Sequence, residues 1–256
     1  MAESAPALDA ATVILLRDSP DGPEVLLQRR GAGASFMAGA YVFPGGVVDD
    51  PDRGMPPELV DDPDADLLPL RVAAVRELFE EAGVLLATRN GVLVDDEFVT
   101  GPSATAVRRR LHDRTDPYDW RPWLAEQGLV LATDPLALTS RWVTPVVEPR
   151  RFDTWFFAVE APATQDADHD DIEMTDSVWA RPADALAAAE AGEVFMVPPT
   201  RRNLAALATF DRAADAVAAA GGPTAAEPIL PVIRQDDDGS VWVTHPTFEP
   251  IRIRRA

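Results

Sequence analysis

Arg76-Glu77-Leu78-Phe79-Glu80-Glu81-Ala82-Gly83-Val84 is the stretch on which the reading of this chain turns. On an α-helix, Glu80 and Glu81 follow Glu77 by three and four positions, so the three carboxylates share one face within an arc of about 100°. Val75, Leu78, Ala82 and Leu85 fall on the opposite side and are suited to a core. A solvated charged face ordinarily mixes signs, or sets a base four residues from each Glu. Here Glu77 and Glu81 form a like-charged pair one turn apart, which destabilises a helix by about 0.2–0.5 kcal/mol, and Glu80 adds to the repulsion. Bound divalent cations are the simple offset. Gly83 ends or kinks the helix beside the acids.

Composition narrows the chemistry further. There are no cysteines, which removes disulfides, thiol catalysis and thiolate metal sites. The three histidines (His112, His169, His245) lack metal-ligand spacing and read as surface residues. A metal here would sit on oxygen ligands, which favours Mg²⁺ or Mn²⁺. Every basic side chain is Arg, so lysine chemistry is excluded. The formal net charge of −20 argues against a nucleic-acid groove and is read as solubility. No segment is long and apolar enough to span a membrane, and neither end carries a recognisable address signal. A cytoplasmic protein is the expectation.

With 256 residues, 46 % of them hydrophobic, one large domain can be filled. Residues 1–9 read as a loose tail, 11–16 as a buried strand, 24–28 as its return, and 31–39 as a Gly/Ala-rich loop. A short strand over 40–43 stops at Pro44-Gly45-Gly46. The acidic, Pro-rich stretch 49–69 reads as an irregular insertion, followed by a helix over 70–86 and a strand over 92–94. Residues 102–131 read as helical, 137–143 and 154–159 as strands, 165–176 as an acidic loop, and 177–180 as a short strand. Helices over 182–191 and 200–220 then lead to a hairpin of 229–234 and 240–244, so 200–256 forms a helix-and-hairpin extension. The pattern predicts an α/β (α+β) fold, a mixed β-sheet with helices on both faces.

The opening run resembles the second half of the Nudix box, Arg-Glu-apolar-x-Glu-Glu-x-Gly-apolar. A chance match in a chain of this length is on the order of one in 10⁴ to 10⁵. Phe43-Pro44-Gly45-Gly46 supplies the strand end and glycines that open such a box. Gly46 to Arg76 spans 30 residues, 16 more than the pattern Gly-x5-Glu-x7-Arg, so the box is split by an insertion. Asp52, six after Gly46, is the first candidate to replace the box Glu as partner of Arg76; Asp66 is the other.

The resemblance implies a Nudix-type α/β/α sandwich. It implies Mg²⁺ or Mn²⁺ held by Glu77, Glu80, Glu81 and the Gly46 carbonyl, with Arg76 in the catalytic set, cleaving a diphosphate linkage by metal-assisted attack of water. A general base is expected first among the helix glutamates, then at Glu148, Asp153 or Glu173.

Nudix enzymes that cleave coenzyme A carry Leu-Leu-Thr-x-Arg-small-x3-Arg-x3-Gly-x3-Phe-Pro-Gly-Gly. Leu26, Leu27, Arg30, Gly31, Gly39 and Phe43 to Gly46 keep that register, while Gln28 replaces the Thr and Ser35 the second Arg. The split box, Thr144-Pro145, Arg150-Arg151-Phe152-Asp153-Thr154, Pro198-Pro199 and Leu230-Pro231-Val232 resemble the peroxisomal coenzyme A diphosphatase branch of the family. By that resemblance Arg30, Gly39 and Arg151 meet the substrate. The expected activity is hydrolysis of coenzyme A or acyl-coenzyme A to 3′,5′-ADP and (acyl)phosphopantetheine. The alternatives are another nucleoside diphosphate-X substrate such as ADP-ribose or NADH, or a non-catalytic sensor. Partners are then small molecules rather than nucleic acid or membrane, with a homodimer left open. Trp120, Trp123, Trp142, Trp155 and Trp179 read as packing residues, and Arg108-Arg109-Arg110 as a solvated helix face.

Overall fold

The computed structural model describes residues 5–31, 37–62, 65–113, 118–169, 174–222 and 224–253. Its elements run β1 (Ala7–Ser19), β2 (Gly22–Arg30), β3 (Tyr41–Val42), β4 (Gly45–Val47), α1 (Asp50–Arg53), a 3₁₀ turn (Pro57–Leu59), α2 (Leu68–Ala82), β5 (Ala87–Arg89), β6 (Val92–Leu93) and α3 (Asp96–Val99). There follow α4 (Pro102–Leu111), α5 (Arg121–Gln127), β7 (Leu129–Leu131), β8 (Ala137–Val143), β9 (Arg151–Glu160), β10 (Met174–Ala180) and α6 (Pro182–Ala191). The chain ends with α7 (Pro198–Leu207), α8 (Ala213–Ala219), β11 (Pro228–Ile229), β12 (Val232–Gln235), β13 (Val241–His245) and β14 (Phe248–Ile253).

The main sheet is mixed, in the order β10-β2-β1-β9-β8-β11, with β3 on β2 and β4 on β1. At its centre β1 and β9 pair in parallel from Ala7↔Arg151 to Leu16↔Glu160. Such a pair is covered on both faces, which is why both strands are near-continuous apolar runs. Alternation sorts their side chains. Ala11, Val13, Leu15, Leu26, Trp155, Phe157 and Val159 join one core with α2, α4 and α5. Ile14, Leu16, Val25, Leu27, Phe156 and Ala158 join a second core with α6, α7 and α8. Two cores on opposite faces of one sheet make the α/β/α sandwich that the sequence predicted. Phe79 on α2 stacks against Trp123 on α5 with ring centroids 6.2 Å apart; truncating Phe79 to Ala would cost about 3–5 kcal/mol.

Several sequence-based bounds are corrected. β1 begins at Ala7, inside the expected tail, because β9 offers it a partner that far. The insertion is partly regular, holding α1 and the 3₁₀ turn. α2 starts at Leu68 and stops at Ala82, where Gly83 takes the left-handed conformation (φ 71°) and donates its N–H to the Phe79 carbonyl. The expected helix over 102–131 is α4, α5 and the strand β7, and 200–220 is two helices, α7 and α8. The terminal hairpin is a three-stranded sheet, β12-β13-β14.

Candidate active site

β4 lies antiparallel to β1, with Ala11 opposite Gly46 and Thr12 opposite Gly45. A Cβ on Gly45 would collide with the Ala11 carbonyl and Thr12, and one on Gly46 would fall inside the Glu77 carboxylate. Only glycine lets this strand approach both β1 and α2 so closely. The Gly45 N–H then donates to Glu81 Oε2 at 2.9 Å.

Within α2 almost every side chain is buried, the acids included: Glu77 and Glu80 are 0 % exposed and Glu81 3 %. The expected acidic stripe therefore lies inside the protein, around Arg76. Arg76 Nε donates to both oxygens of Asp52 at 3.0 and 3.2 Å. Its Nη2 donates to Asp52 Oδ2 at 2.9 Å and to the Val47 carbonyl at 2.8 Å. Its Nη1 reaches Glu77 Oε1 at 2.8 Å and Glu80 Oε2 at 3.3 Å. Asp52 is held in turn by the Asp49 N–H, which donates to Oδ2 at 2.8 Å. So Asp52, not the exposed Asp66, takes the place of the box Glu, and the residues between them are looped out.

The electrostatics follow from burial. Burial pushes the Glu81 carboxyl well above the ordinary range; the Glu77 charge adds to this, and the Gly45 N–H opposes it. Burial also raises Asp52, against the pull of Arg76. Burial alone would lower Arg76, but the charges of Glu77 and Asp52 outweigh it and raise it well above its usual value.

Among the described residues no group of three or more His, Cys, Asp or Glu side chains is drawn together as a ready ligand cage. Glu77 and Glu80 face Arg76 instead. The donor set nonetheless suits a hard divalent cation. It offers only oxygens and it is buried: Asp52, Glu77 and Glu80 gather around the guanidinium of Arg76, and the buried Glu81 carboxylate lies on the same helix beside Gly45. The side-chain-free Gly45-Gly46 start of β4 lies directly against Glu77 and Glu81.

Two residues that sequence reasoning assigned to the surface belong to this centre. Arg108 on α4 donates from Nε to the Glu80 carbonyl at 2.9 Å and from Nη2 to the Glu81 carbonyl at 3.0 Å and the Asp168 carbonyl at 2.9 Å. It caps the C-terminal end of the acidic helix, where a cation is favoured. A Cβ on Gly83 would meet its Nη1, so the glycine serves the clamp as well as the turn. His112, one turn on, has a side chain only 5 % exposed, with Nδ1 3.3 Å from Glu80 Oε1. Buried Gln28 adds a third contact, donating from Nε2 to the Glu81 carbonyl at 3.1 Å. The local signal for Arg108 was its place beside Val107 and Leu111, the buried side of α4.

The family model described as the NUDT19 Nudix domain matches residues 56–207, more than half of the chain. The chain belongs to the Nudix hydrolase family. It is 27 % identical over 263 residues to the acyl-coenzyme A diphosphatase NUDT19 of Gallus gallus, covering 79 % of this chain and 68 % of that one. The Homo sapiens protein of that name is 29 % identical over 236 residues, covering 76 % and 63 %. In four of the curated relatives matched, the chain spans between 52 % and 68 % of their length. A crystal structure of a NUDIX hydrolase from Alicyclobacillus acidocaldarius superposes with a TM-score of 0.72 at 30 % identity, covering 84 % of this chain and 97 % of that one.

The remaining expected residues of this Nudix hydrolase fall in different places. Arg30 borders a cavity of about 570 Å³ that also reaches Gly45 and Glu148. Gly39, at φ 74°, borders a more open groove that shares Ala38, Phe195 and Val241 with that cavity. Arg151 does not enter the cavity: its guanidinium donates to the Thr144 and Ala5 carbonyls at 3.0 and 2.8 Å and ties the strand ends together. Arg150 lies over Phe152. Asp153 is engaged by Arg141 at 2.6 and 2.8 Å. Ser35 and Glu173 lie outside the described residues. Trp120, Trp123, Trp142 and Trp155 are buried and Trp179 is partly so, as packing residues should be. No helix among the described residues is long and apolar enough to cross a membrane.

Proposed function

We propose that this Nudix hydrolase cleaves the diphosphate linkage of coenzyme A or acyl-coenzyme A, giving 3′,5′-ADP and (acyl)phosphopantetheine. The observation that carries the reading is the split box, closed through Asp52 and Arg76, in a chain whose similarity to acyl-coenzyme A diphosphatases extends well beyond the box.

Glu77, Glu80 and Glu81, with the Gly46 carbonyl, would hold Mg²⁺ or Mn²⁺. Bound there, the divalent cation supplies charge neutralisation at the diphosphate and a more acidic water at neutral pH. The chain's own groups do the rest. Arg76 fixes Glu77 and Glu80 from one side, and the Gly45 N–H fixes Glu81 from the other. Arg30 lines the neighbouring cavity and would offer charge to a phosphate oxygen. The helix glutamates are the leading candidates to take a proton from the attacking water, because they would flank the cation that acidifies it. Glu148, half-buried at the cavity, is the second.

Incubating the purified protein with coenzyme A, acetyl-coenzyme A, ADP-ribose and NADH in Mg²⁺ and in Mn²⁺, with products resolved by mass, tests the reading. Masses of 3′,5′-ADP and phosphopantetheine are expected. Good cleavage of ADP-ribose with coenzyme A untouched would favour the second reading, for which the substitution of Ser35 for the pattern's Arg speaks.

A further inference from the structure

Two basic side chains from different helices bracket the Glu80 carboxylate. Arg76, one turn earlier on α2, brings Nη1 to Oε2 at 3.3 Å, and His112, at the end of α4, brings Nδ1 to Oε1 at 3.3 Å. One oxygen is met by the box's own arginine and the other by a residue from outside the box. Arg108 and His112 are four positions apart, so their side chains leave α4 on one face. Arg108 takes the Glu80 carbonyl at 2.9 Å while His112 faces the carboxylate, so a single turn of α4 addresses both polar groups of one residue.

Burial and distance give this contact its meaning. The His112 side chain is 5 % exposed and that of Glu80 is fully buried, so the imidazole has left water for a polar neighbour inside the protein. Charge-assisted hydrogen bonds to a carboxylate close to about 2.7–2.9 Å. Arg76 reaches that range with Glu77, at 2.8 Å, and with Asp52, at 2.9 Å. Both contacts to Glu80 stay longer. They fix the plane of the carboxylate without consuming its charge, which leaves that charge for a cation.

We infer that His112 is a positioning residue of the cation site: through Nδ1 it orients the Glu80 carboxylate, on the oxygen other than the one Arg76 meets, and so sets the affinity for Mg²⁺ or Mn²⁺. It touches neither substrate nor cation. This role rests on the functional reading above, in which Glu80 is one of the ligands, and extends the site to α4. Groups that orient metal-ligating side chains typically carry about 10- to 100-fold in metal affinity. A histidine that only filled space at the α2–α4 contact would carry none of this through Glu80.

The test is calorimetric titration of the full, chelator-treated protein with Mg²⁺ and with Mn²⁺, at one fixed pH and without substrate. His112→Leu keeps a buried side chain and removes the nitrogen; it should raise the Kd about tenfold. His112→Asn keeps an N–H close to the Nδ1 position and should recover most of that loss. In a Glu80→Gln background, His112→Leu should cost little more, because the group it acts through is already altered. The fitted stoichiometry reports the folded fraction, so the Kd is read on folded protein alone. Should His112→Leu not fold, the parent still decides by nuclear magnetic resonance: the His112 ring nitrogens should shift along the Mg²⁺ binding curve, while those of His245 on the terminal sheet stay in place. A parent-like Kd in His112→Leu, an Asn variant as weak as the Leu variant, an undiminished loss in the Glu80→Gln background, or a His112 signal unmoved at saturating Mg²⁺ would overturn the role of His112 and leave the functional reading standing. Failure of the parent to bind either cation would overturn that reading, and the role of His112 with it.

Discussion

Asp52 and Arg76, 24 positions apart in sequence, form a buried pair in which Nε and Nη2 of the arginine both donate to the carboxylate at 2.9 to 3.2 Å. The pair closes the Nudix box across its insertion. It also fixes the guanidinium whose third nitrogen holds Glu77 and Glu80. Asp52→Ala leaves Arg76 buried with part of its compensation gone, which should destabilise the fold by about 3 kcal/mol. Urea unfolding measures this. Asp52→Glu should recover only part, because the longer side chain has no spare room at a site 1 % exposed.

Glu81 carries the clearest pH signature. Burial and the Glu77 charge raise its carboxyl well above 4.5 in the folded protein. The folded state therefore binds a proton that the unfolded chain has already released, so this contribution to stability is full below pH 4.5 and is lost as pH rises through the folded value. In chelator-treated protein, Glu81→Gln should be at least as stable as the parent at neutral pH, with an advantage that shrinks on acidification. Added Mg²⁺ at about 100 times its Kd should stabilise the parent by about 2.7 kcal/mol and the variant much less. Turnover by the variant should fall by at least about 100-fold. Melting curves across pH, with and without Mg²⁺, decide; parallel curves for the two proteins would remove Glu81 from the metal site.

Where the sequence was legible, local pattern carried enough information. The bounds of β8 and α6 are those expected from residues 137–143 and 182–191, and the box acids sit on the helix predicted for them. Where it was not, a distant residue decided. The Ala-rich stretch 200–220 has no breaker between Leu207 and Ala213, yet the second helix starts where the Ala213 N–H donates to Asp18 Oδ1 at 2.7 Å, a cap from the far end of β1. Arg108 and His112 read as a solvated face because nothing near them in sequence announces that α4 packs its end on α2. Asp52 could be picked out by its count from Gly46, but that it is buried depends on α1 folding the insertion back.

Gly46 is the position at which space, rather than charge, is limiting. Any Cβ there would overlap the Glu77 carboxylate, so Gly46→Ala must push Glu77 from Arg76 Nη1 or lift β4 from β1. Overpacking of this kind costs about 1–3 kcal/mol. Because the displaced group is one of the site's own acids, activity should fall further than stability: a drop of about 100-fold in kcat with a modest shift in unfolding midpoint. Equal losses from Gly45→Ala would be explained by its separate collision with Ala11 and Thr12. Activity near the parent's in Gly46→Ala would show that Glu77 does not work from its present position.

Arg108 tests whether the backbone of the acidic helix, and not only its side chains, is tuned. Its guanidinium spans the Glu80 and Glu81 carbonyls, and Gln28 supplies another donor to the second. Arg108→Ala removes charge-assisted hydrogen bonds worth about 1.5–3 kcal/mol each when buried, toward the low end here since the contact is only partly buried. Supports that orient metal ligands typically carry about 10- to 100-fold in metal affinity. The variant should therefore need about tenfold more Mg²⁺ for half-maximal rate, with a kcat at saturating Mg²⁺ much nearer the parent's. Arg108→Lys keeps the charge at the helix end but not the fork that spans two carbonyls, so it should recover the stability more fully than the Mg²⁺ requirement. If Lys restored both equally, the role of Arg108 would reduce to its charge.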